Sequence, residues 1–178
     1  MVDFAGRTVN SHSKEWCTPP KYADVIHEFF NNNLNLDPCS NEFSIINAKT
    51  KFMMPYKNGL IEEWDYKYIY VNPPYGADRE NKTSIKDWFK KAFETYKNYN
   101  SEILMLVPVA TNTSHWKEYV FGKATGVCFL YDTRLKFMIN GNINNKGCPM
   151  ACCFIYYGTD FEKFKNIFKK FGAVVQIK

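Results

Sequence analysis

Residues 68–76 read Tyr-Ile-Tyr-Val-Asn-Pro-Pro-Tyr-Gly, and this stretch is the clearest guide to the fold. Its first four residues are aromatic or β-branched, which predicts a buried strand over Tyr68–Val71. Because proline has no N–H to donate to a sheet ladder, the strand must end where the prolines begin. The stretch therefore predicts a strand whose carboxyl end carries a rigid turn, Asn72-Pro73-Pro74-Tyr75.

Helical patterns lie on both sides of this strand. Thr18 is predicted as the N-cap of a first helix that starts at Pro19-Pro20 and ends at residues 31–33. The clearest helix runs over residues 84–98, where Ser84 and Asp87 resemble a capping box. A short helix is predicted over residues 115–121. A last one over residues 161–171 is expected to be capped by Gly172.

Extended segments alternate with these helices. They are residues 34–36, 68–71, 103–107, 127–131, 134–139, 150–157 and 174–177, with one weak strand somewhere in residues 41–64. Several are continuously apolar, which is typical of strands buried on both faces. The alternation predicts a three-layer α/β sandwich with a mostly parallel sheet. The two segments around residues 140–149 predict an antiparallel hairpin near the C-terminus.

Length and composition exclude several classes of protein. A chain of 178 residues fits a single domain, and its hydrophobic content of 46% is that of a folded protein. No run approaches the roughly 18 apolar residues of a membrane helix, and the first residues lack the apolar core of a secretion signal. We therefore expect a cytoplasmic protein with reduced cysteines, and a flexible segment over residues 1–14. The net charge of +5 permits an anionic partner.

A zinc site is not expected. Zinc requires paired ligands at short spacing, and Cys148, Cys152 and Cys153 are the one cluster of cysteines. Cys152 and Cys153 are adjacent, so in a strand their side chains point to opposite faces of the sheet. The sequence therefore predicts no metal.

The Asn72–Tyr75 turn has a chemistry of its own. The Asn72 amide oxygen and the Pro73 carbonyl can both accept hydrogen bonds from one planar amino group. The Tyr75 ring can stack on the ring that carries this amine. The turn contains no strong base and no nucleophile, so an electrophile must come from a cofactor. A plain proline turn with a packed tyrosine is the alternative interpretation.

Several segments together resemble the bacteriophage-type DNA N6-adenine methyltransferase family. They are Glu15-Trp16-Cys17-Thr18-Pro19-Pro20, Leu36-Asp37-Pro38-Cys39-Ser40, Asn58-Gly59-Leu60, Trp64, Asn72-Pro73-Pro74-Tyr75 and Arg134-Leu135-Lys136-Phe137. Their order and spacing, over residues 12–157, are more specific than any one segment. Larger methyltransferases carry a glycine-rich turn after the first strand, whereas residues 37–42 of this chain contain no glycine. A separate target-recognition domain is also absent.

The resemblance implies a Rossmann-like methyltransferase domain over residues 1–178. It would transfer a methyl group from S-adenosylmethionine to N6 of a flipped adenine in DNA. The catalytic residues implied are Asn72, Pro73, Pro74 and Tyr75. The cofactor-binding residues implied are Trp16, Thr18, Pro19, Asp37, Pro38 and Ser40. Candidate phosphate contacts are Arg79, Lys82, Arg134 and Lys136.

Alternatives remain open at this level. Thr18 can be a plain helix cap, Asp37 a turn carboxylate, and Trp16 a staple on the first helix rather than a cover for the cofactor. The four basic residues can be solvated charges. A methyltransferase acting on RNA or a protein glutamine fits the same turn, as does a non-catalytic DNA-binding relic.

Three further properties stay undetermined: the oligomeric state, the recognised DNA sequence, and the preference for duplex or single strands. Residues 76–83 and 140–149, or a second subunit, would have to read the DNA. Protection of phage DNA from restriction is the role that the resemblance implies.

Overall fold

The computed structural model describes residues 2–4, 7–9, 16–132 and 134–178 of the chain. The strands are β1 (Val2–Phe4), β2 (Arg7–Val9), β3 (Leu36–Ser40), β4 (Thr50–Met53), β5 (Tyr68–Val71), β6 (Glu102–Pro108), β7 (Gly126–Leu130), β8 (Met138–Ile139), β9 (Asn142–Ile143), β10 (Cys152–Tyr157) and β11 (Gly172–Gln176). The helices are α1 (Pro20–Phe29), α2 (Ile85–Tyr99), α3 (Ser114–Tyr119) and α4 (Phe161–Phe168). No helix in these ranges is long and apolar enough to cross a membrane.

Seven of these strands form one central sheet in the order β11-β7-β10-β6-β5-β3-β4. The five strands β3 to β7 run in one direction, while β10 and β11 run antiparallel to their neighbours. This confirms the predicted α/β fold with a mostly parallel sheet. Since β3 and β5 are adjacent and parallel, their carboxyl ends meet at one edge of the sheet.

Side chains of β10 show that helices cover both faces of the sheet. Tyr156 stacks on Phe164 of α4 and contacts Phe29 of α1. The next residue, Tyr157, points to the other face, where it contacts Phe93 and Tyr96 of α2. The fold is therefore a three-layer sandwich, with α1 and α4 on one face and α2 on the other.

The strongest local predictions are confirmed. β5 has the predicted bounds because the prolines end it. The Ser84 N–H donates to the Asp87 carboxylate over 2.7 Å at the start of α2, as a capping box requires. In α1, Pro20 occupies the first turn, and Asn31 and Asn32 adopt left-handed conformations just beyond the helix end.

Three local predictions are wrong. Residues 37–40 lie inside β3 rather than in a turn after it, with an irregular register against β4. The N-cap of α1 is Pro19, so Thr18 does not cap the helix. Gly172 begins β11 instead of capping α4. The position requires glycine because a Cβ there would lie 2.2 Å from the Phe129 carbonyl oxygen of β7.

The antiparallel hairpin near the C-terminus has a different form from the one predicted. β8 and β9 pair around the turn Asn140-Gly141, whose φ angles of 49° and 76° fit a type I′ turn. Residues 134–137 form no strand. β10 does not pair with that segment, because it is inserted between β6 and β7 in the central sheet.

The segment predicted to be flexible at the N-terminus contains the pair β1 and β2, which run antiparallel. The other residues of this segment, and Glu15 of the family-like segment, lie outside the described residues.

Candidate functional site

A pocket lies at the carboxyl ends of β3 and β5. Its lining residues are Trp16, Cys17, Thr18, Asp37, Cys39, Asn41, Ser44, Ile46, Tyr70 and Asn72. The structure thus brings together four of the predicted residues from three separate segments: Trp16, Thr18, Asp37 and Asn72. The pocket does not include Pro19, Pro38, Ser40, Pro73, Pro74 or Tyr75, which are chain neighbours of the lining residues.

Asn72 is oriented by a backbone contact. Its amide nitrogen Nδ2 donates to the Trp16 carbonyl over 2.9 Å. Because a carbonyl oxygen can only accept, this bond determines which end of the amide faces Trp16. The amide oxygen Oδ1 receives no hydrogen bond from the described part of the chain, so it is available as an acceptor at the pocket.

Asp37 is a buried carboxylate, with 3% of its surface exposed. Its Oδ1 accepts the backbone N–H of Cys39 over 3.2 Å. Burial raises the pKa of Asp37 to about 6, although the Ser40 and Ser44 hydroxyls, the Cys39 N–H and the charge of Lys51 favour the ionised form. No cation among the described residues forms an ion pair with Asp37. A ligand ammonium group would therefore meet a carboxylate that has hydrogen-bond donors but no cationic partner among the described residues.

Two hydroxyl groups beside Asp37 differ in their partners. The Thr18 hydroxyl hydrogen-bonds the Tyr70 hydroxyl over 2.6 Å, which holds the first segment to β5. This bond explains why Thr18 does not cap α1. The Ser40 Oγ is buried and makes no hydrogen bond of ordinary geometry within the described residues, though it lies close enough to Asp37 to affect its pKa. A buried hydroxyl of this kind can take a ligand polar atom as its partner.

Tyr75 belongs to an aromatic cluster with Trp16 and Phe137. Its ring lies nearly perpendicular to both, at centroid distances of 5.8 Å and 5.7 Å, and Trp16 and Phe137 stack at 5.0 Å. Only 3% of Tyr75 is exposed, and its hydroxyl donates to the Leu106 carbonyl of β6 over 3.1 Å. Phe137 was not predicted as a site residue, although it ends the family-like segment Arg134–Phe137.

The loop of residues 58–64 supports β3 from outside the pocket. A Cβ added to Gly59 would lie 1.8 Å from the Pro38 carbonyl, so this close approach requires glycine. The buried Trp64 indole donates to the Gly59 carbonyl over 2.8 Å. Lys91 of α2 donates to the Leu60 carbonyl over 2.8 Å. These bonds hold the loop against Pro38.

The four basic residues predicted to bind phosphate are all exposed. Arg79 and Lys82 lie on a tight turn that follows Tyr75 directly, closed by hydrogen bonds between the backbones of Asp78 and Thr83. Arg134 and Lys136 flank the buried Leu135 and precede Phe137 of the aromatic cluster. Both basic pairs are therefore attached to segments that contribute to the site.

Within residues 16–132 and 134–178, no group of three or more histidine, cysteine, aspartate or glutamate side chains could hold a metal ion. The Cys148 and Cys152 sulfurs lie 3.7 Å apart, while Cys153, the next residue in β10, places its side chain on the opposite face of the sheet. The sequence did not predict this pair of adjacent thiols.

The mostly parallel sheet, with a polar pocket at the carboxyl ends of two adjacent strands, defines a Rossmann-like α/β protein. The model of the DNA N-6-adenine-methyltransferase (Dam) family matches residues 5–173, so the chain belongs to that family. A relative, the DNA N-6-adenine-methyltransferase of Haemophilus phage HP1 (strain HP1c1), is 26% identical over 134 residues. The alignment covers 75% of this chain and 71% of that protein. No solved structure matches the chain.

Proposed function

We propose that this protein transfers a methyl group from S-adenosylmethionine to N6 of a flipped adenine at specific sites in DNA. The observation that carries the proposal is that Asn72, directly after β5, and Asp37, within the adjacent strand β3, line the same pocket. Asn72 offers an oriented amide oxygen, and Asp37 offers a buried carboxylate in the same pocket. Membership of the DNA N-6-adenine-methyltransferase family supports the reaction and the substrate.

The cofactor side of the pocket fits the amino-acid end of S-adenosylmethionine. Asp37 would hold its ammonium group, and Thr18 and Ser40 would contact its polar atoms. Trp16 lines the same pocket, while the buried Pro19 and Pro38 shape the two segments that form it. When bound, the cofactor supplies an electrophilic methyl group next to Asn72.

The substrate side consists of the Asn72–Tyr75 turn. The adenine N6 amino group would donate hydrogen bonds to the Asn72 Oδ1 and the Pro73 carbonyl. These bonds draw the nitrogen lone pair out of conjugation with the ring and aim it at the methyl group. Pro74 restricts the backbone of the turn, which preserves the spacing of the two acceptors.

Tyr75 would stack on the flipped base. The ring is enclosed in this conformation, because Trp16 and Phe137 contact it and only 3% of Tyr75 is exposed. A base can therefore stack on Tyr75 only after side chains around the ring move. Arg79, Lys82, Arg134 and Lys136 would bind the DNA backbone around the site.

A transfer assay tests the reaction. Purified protein is incubated with labelled S-adenosylmethionine and unmethylated DNA, and the DNA is then digested to nucleosides. We expect label in N6-methyladenine. If the label appeared in RNA or in a protein amide instead, the substrate would be RNA or protein rather than DNA. Binding of DNA without binding of S-adenosylmethionine would support the non-catalytic alternative.

The variant Asn72→Ala tests the mechanism. It removes the amide acceptor for N6, so we expect the transfer rate to fall by at least about 100-fold. Affinity for S-adenosylmethionine, measured by calorimetric titration, should change little. Asn98→Ala, on the exposed face of α2, is the matched control and should retain the wild-type rate. A fully active Asn72→Ala variant would refute the mechanism.

A further inference from the structure

Cys148 and Cys152 form a pair of buried thiols beside the site. Their sulfurs lie 3.7 Å apart, and each residue is 3% exposed. The backbone holds both ends of the intervening segment. The Cys148 N–H donates to the Leu135 carbonyl over 2.8 Å, and Cys152 pairs with Pro108 in the ladder between β10 and β6. The two sulfurs are thus kept in contact by the fold.

The pair is directly connected to the proposed substrate side. The Cys152 thiol lies close enough to the Tyr75 phenol for each group to affect the pKa of the other. Cys148 is bonded to the backbone of Leu135, two residues before Phe137, and Phe137 contacts Tyr75. A movement of Cys152 therefore acts on the surroundings of Tyr75, and a movement of Cys148 acts on Tyr75 through the segment of Leu135 and Phe137.

The two thiols are chemically unequal. A hydrogen bond from the Cys152 thiol and nearby backbone groups lower the pKa of Cys148 to about 7. The hydrogen bond to Cys148, together with burial, raises the pKa of Cys152. Burial raises the pKa of Cys128 to about 12 and that of Cys153 as well. Cys148 is thus the more readily ionised thiol of the pair, and the thiolate is the form that attacks a peroxide.

We propose that hydroperoxides convert Cys148 and Cys152 into a reversible disulfide that lowers methyl transfer by displacing Cys152 from Tyr75. The Cys148 thiolate attacks the peroxide oxygen, the O–O bond breaks, and water or an alcohol leaves, which yields a sulfenic acid. The Cys152 sulfur then attacks the Cys148 sulfur, and water leaves with the hydroxyl and the thiol proton. A thiol reductant reverses the reaction.

The geometry gives the reason for the effect on Tyr75. A disulfide requires a sulfur–sulfur distance of about 2.05 Å, so the sulfurs must approach from 3.7 Å. Because β10 is anchored in the centre of the sheet, closure rotates the Cys152 side chain and pulls in the segment that starts at Cys148. Both movements act on the packing around Tyr75.

Peptide mapping tests the disulfide independently of methyl transfer. Reduced protein is treated with hydrogen peroxide, unfolded, alkylated and digested with trypsin. The peptide Gly147–Lys163 contains all three clustered cysteines. We expect it to lose two hydrogens, with only Cys153 alkylated, and to return to three alkylated cysteines after dithiothreitol. Alkylation of Cys148 and Cys152 after peroxide, or a stable sulfinic acid on Cys148, would overturn the proposal.

Three variants locate the reaction. Cys148→Ser and Cys148→Ala should abolish the loss of two hydrogens, and one of them suffices if the other folds poorly. Cys153→Ala should still form the disulfide, since its side chain lies on the opposite face of β10 from that of Cys152. Loss of the disulfide in Cys153→Ala, with the protein folded, would show that Cys153 is a partner.

An activity assay tests the regulatory effect, which rests on the proposed function. Peroxide should lower the transfer rate of the wild type by on the order of tenfold or more, and dithiothreitol should restore it. Cys148→Ser should keep its rate under both conditions. A disulfide with unchanged activity would refute the regulation alone. No activity in the reduced protein would refute the proposed function, while the peptide result would still decide whether the disulfide forms.

Discussion

Asp37 shows how a single residue can oppose folding and favour ligand binding. It is buried in the pocket, and its pKa rises from 3.8 to about 6 because the charged form loses hydration. The folded protein therefore holds this proton more tightly than the unfolded chain does. Between pH 4 and 6 the contribution of Asp37 to stability falls as the pH rises, and the full cost is present above pH 6. A bound ammonium group would offset that cost.

The variant Asp37→Asn should raise the free energy of unfolding at pH 8 by up to about 3 kcal/mol. This gain should shrink as the pH falls and vanish below pH 4, where Asp37 is protonated in both states. S-adenosylmethionine should stabilise the wild type but not the variant. Chemical denaturation with and without the cofactor measures both effects. A variant that the cofactor stabilises as strongly as it does the wild type would remove Asp37 from the cofactor site.

At the scale of elements, the loop of residues 58–64 determines the position of β3. The loop has no regular secondary structure, yet three tertiary contacts hold it in place: Gly59 against the Pro38 carbonyl, Trp64 to the Gly59 carbonyl, and Lys91 to the Leu60 carbonyl. Since Asp37 precedes Pro38 directly, a shift of the loop would be transmitted to the cofactor side of the pocket.

Gly59→Ala should therefore weaken cofactor binding. The added Cβ would lie 1.8 Å from the Pro38 carbonyl oxygen. Because both atoms are fixed to the backbone, the loop or β3 must shift to relieve the clash. We expect a loss of about 1–3 kcal/mol in stability from overpacking. We also expect a KM for S-adenosylmethionine that rises by about tenfold or more, with a smaller change in kcat.

The matched control for this loop is Gly122→Ala. Gly122 has a φ of 66° and no atom within 4 Å of an added Cβ, so alanine costs about 1 kcal/mol of backbone strain without touching β3. It should lower stability and leave the KM unchanged. If both variants raised the KM equally, the effect would be one of global stability, and the loop would have no specific positioning role.

At the scale of the whole molecule, exposed basic residues are attached to the segments that form the site at the carboxyl ends of β3 and β5. The net charge of +5 favours association with DNA. Arg134 and Lys136 are attached to the segment that contacts the aromatic cluster, and Arg79 and Lys82 follow the Asn72–Tyr75 turn. The opposite side of the sheet, formed by β7 and β11, carries α4, and Lys165 of this helix and Lys169 just after it are also exposed.

The double variant Arg134→Ala/Lys136→Ala should weaken DNA binding and reduce the slope of log K against log salt concentration by about 2. Affinity for S-adenosylmethionine should not change. Lys165→Ala/Lys169→Ala, at the end of the sheet that carries α4, removes the same charge and should keep most of the slope. Fluorescence anisotropy over a range of salt concentrations measures both. Equal losses in the two variants would mean that only net charge matters.

Local patterns in the sequence predicted the elements that depend on backbone and periodicity. The prolines at residues 73 and 74 end β5, and Ser84 with Asp87 starts α2. Asn140-Gly141 is a typical hairpin dipeptide, and it forms the β8–β9 turn within residues 140–149, for which a loop is predicted. Each of these features depends on residues only a few positions apart, and so the chain itself determined them together with the mostly parallel α/β fold.

Tertiary packing decided the rest of the site. Thr18 bonds Tyr70 across 52 positions instead of capping α1, and residues 37–40 extend β3 because Asp37 and Ser40 pair with β4. Phe137 stacks on Trp16 from a distant part of the chain, and Cys152 meets Cys148 where β10 enters the sheet between β6 and β7. Such partners are selected by shape and burial across the folded chain, which periodicity along the sequence does not encode.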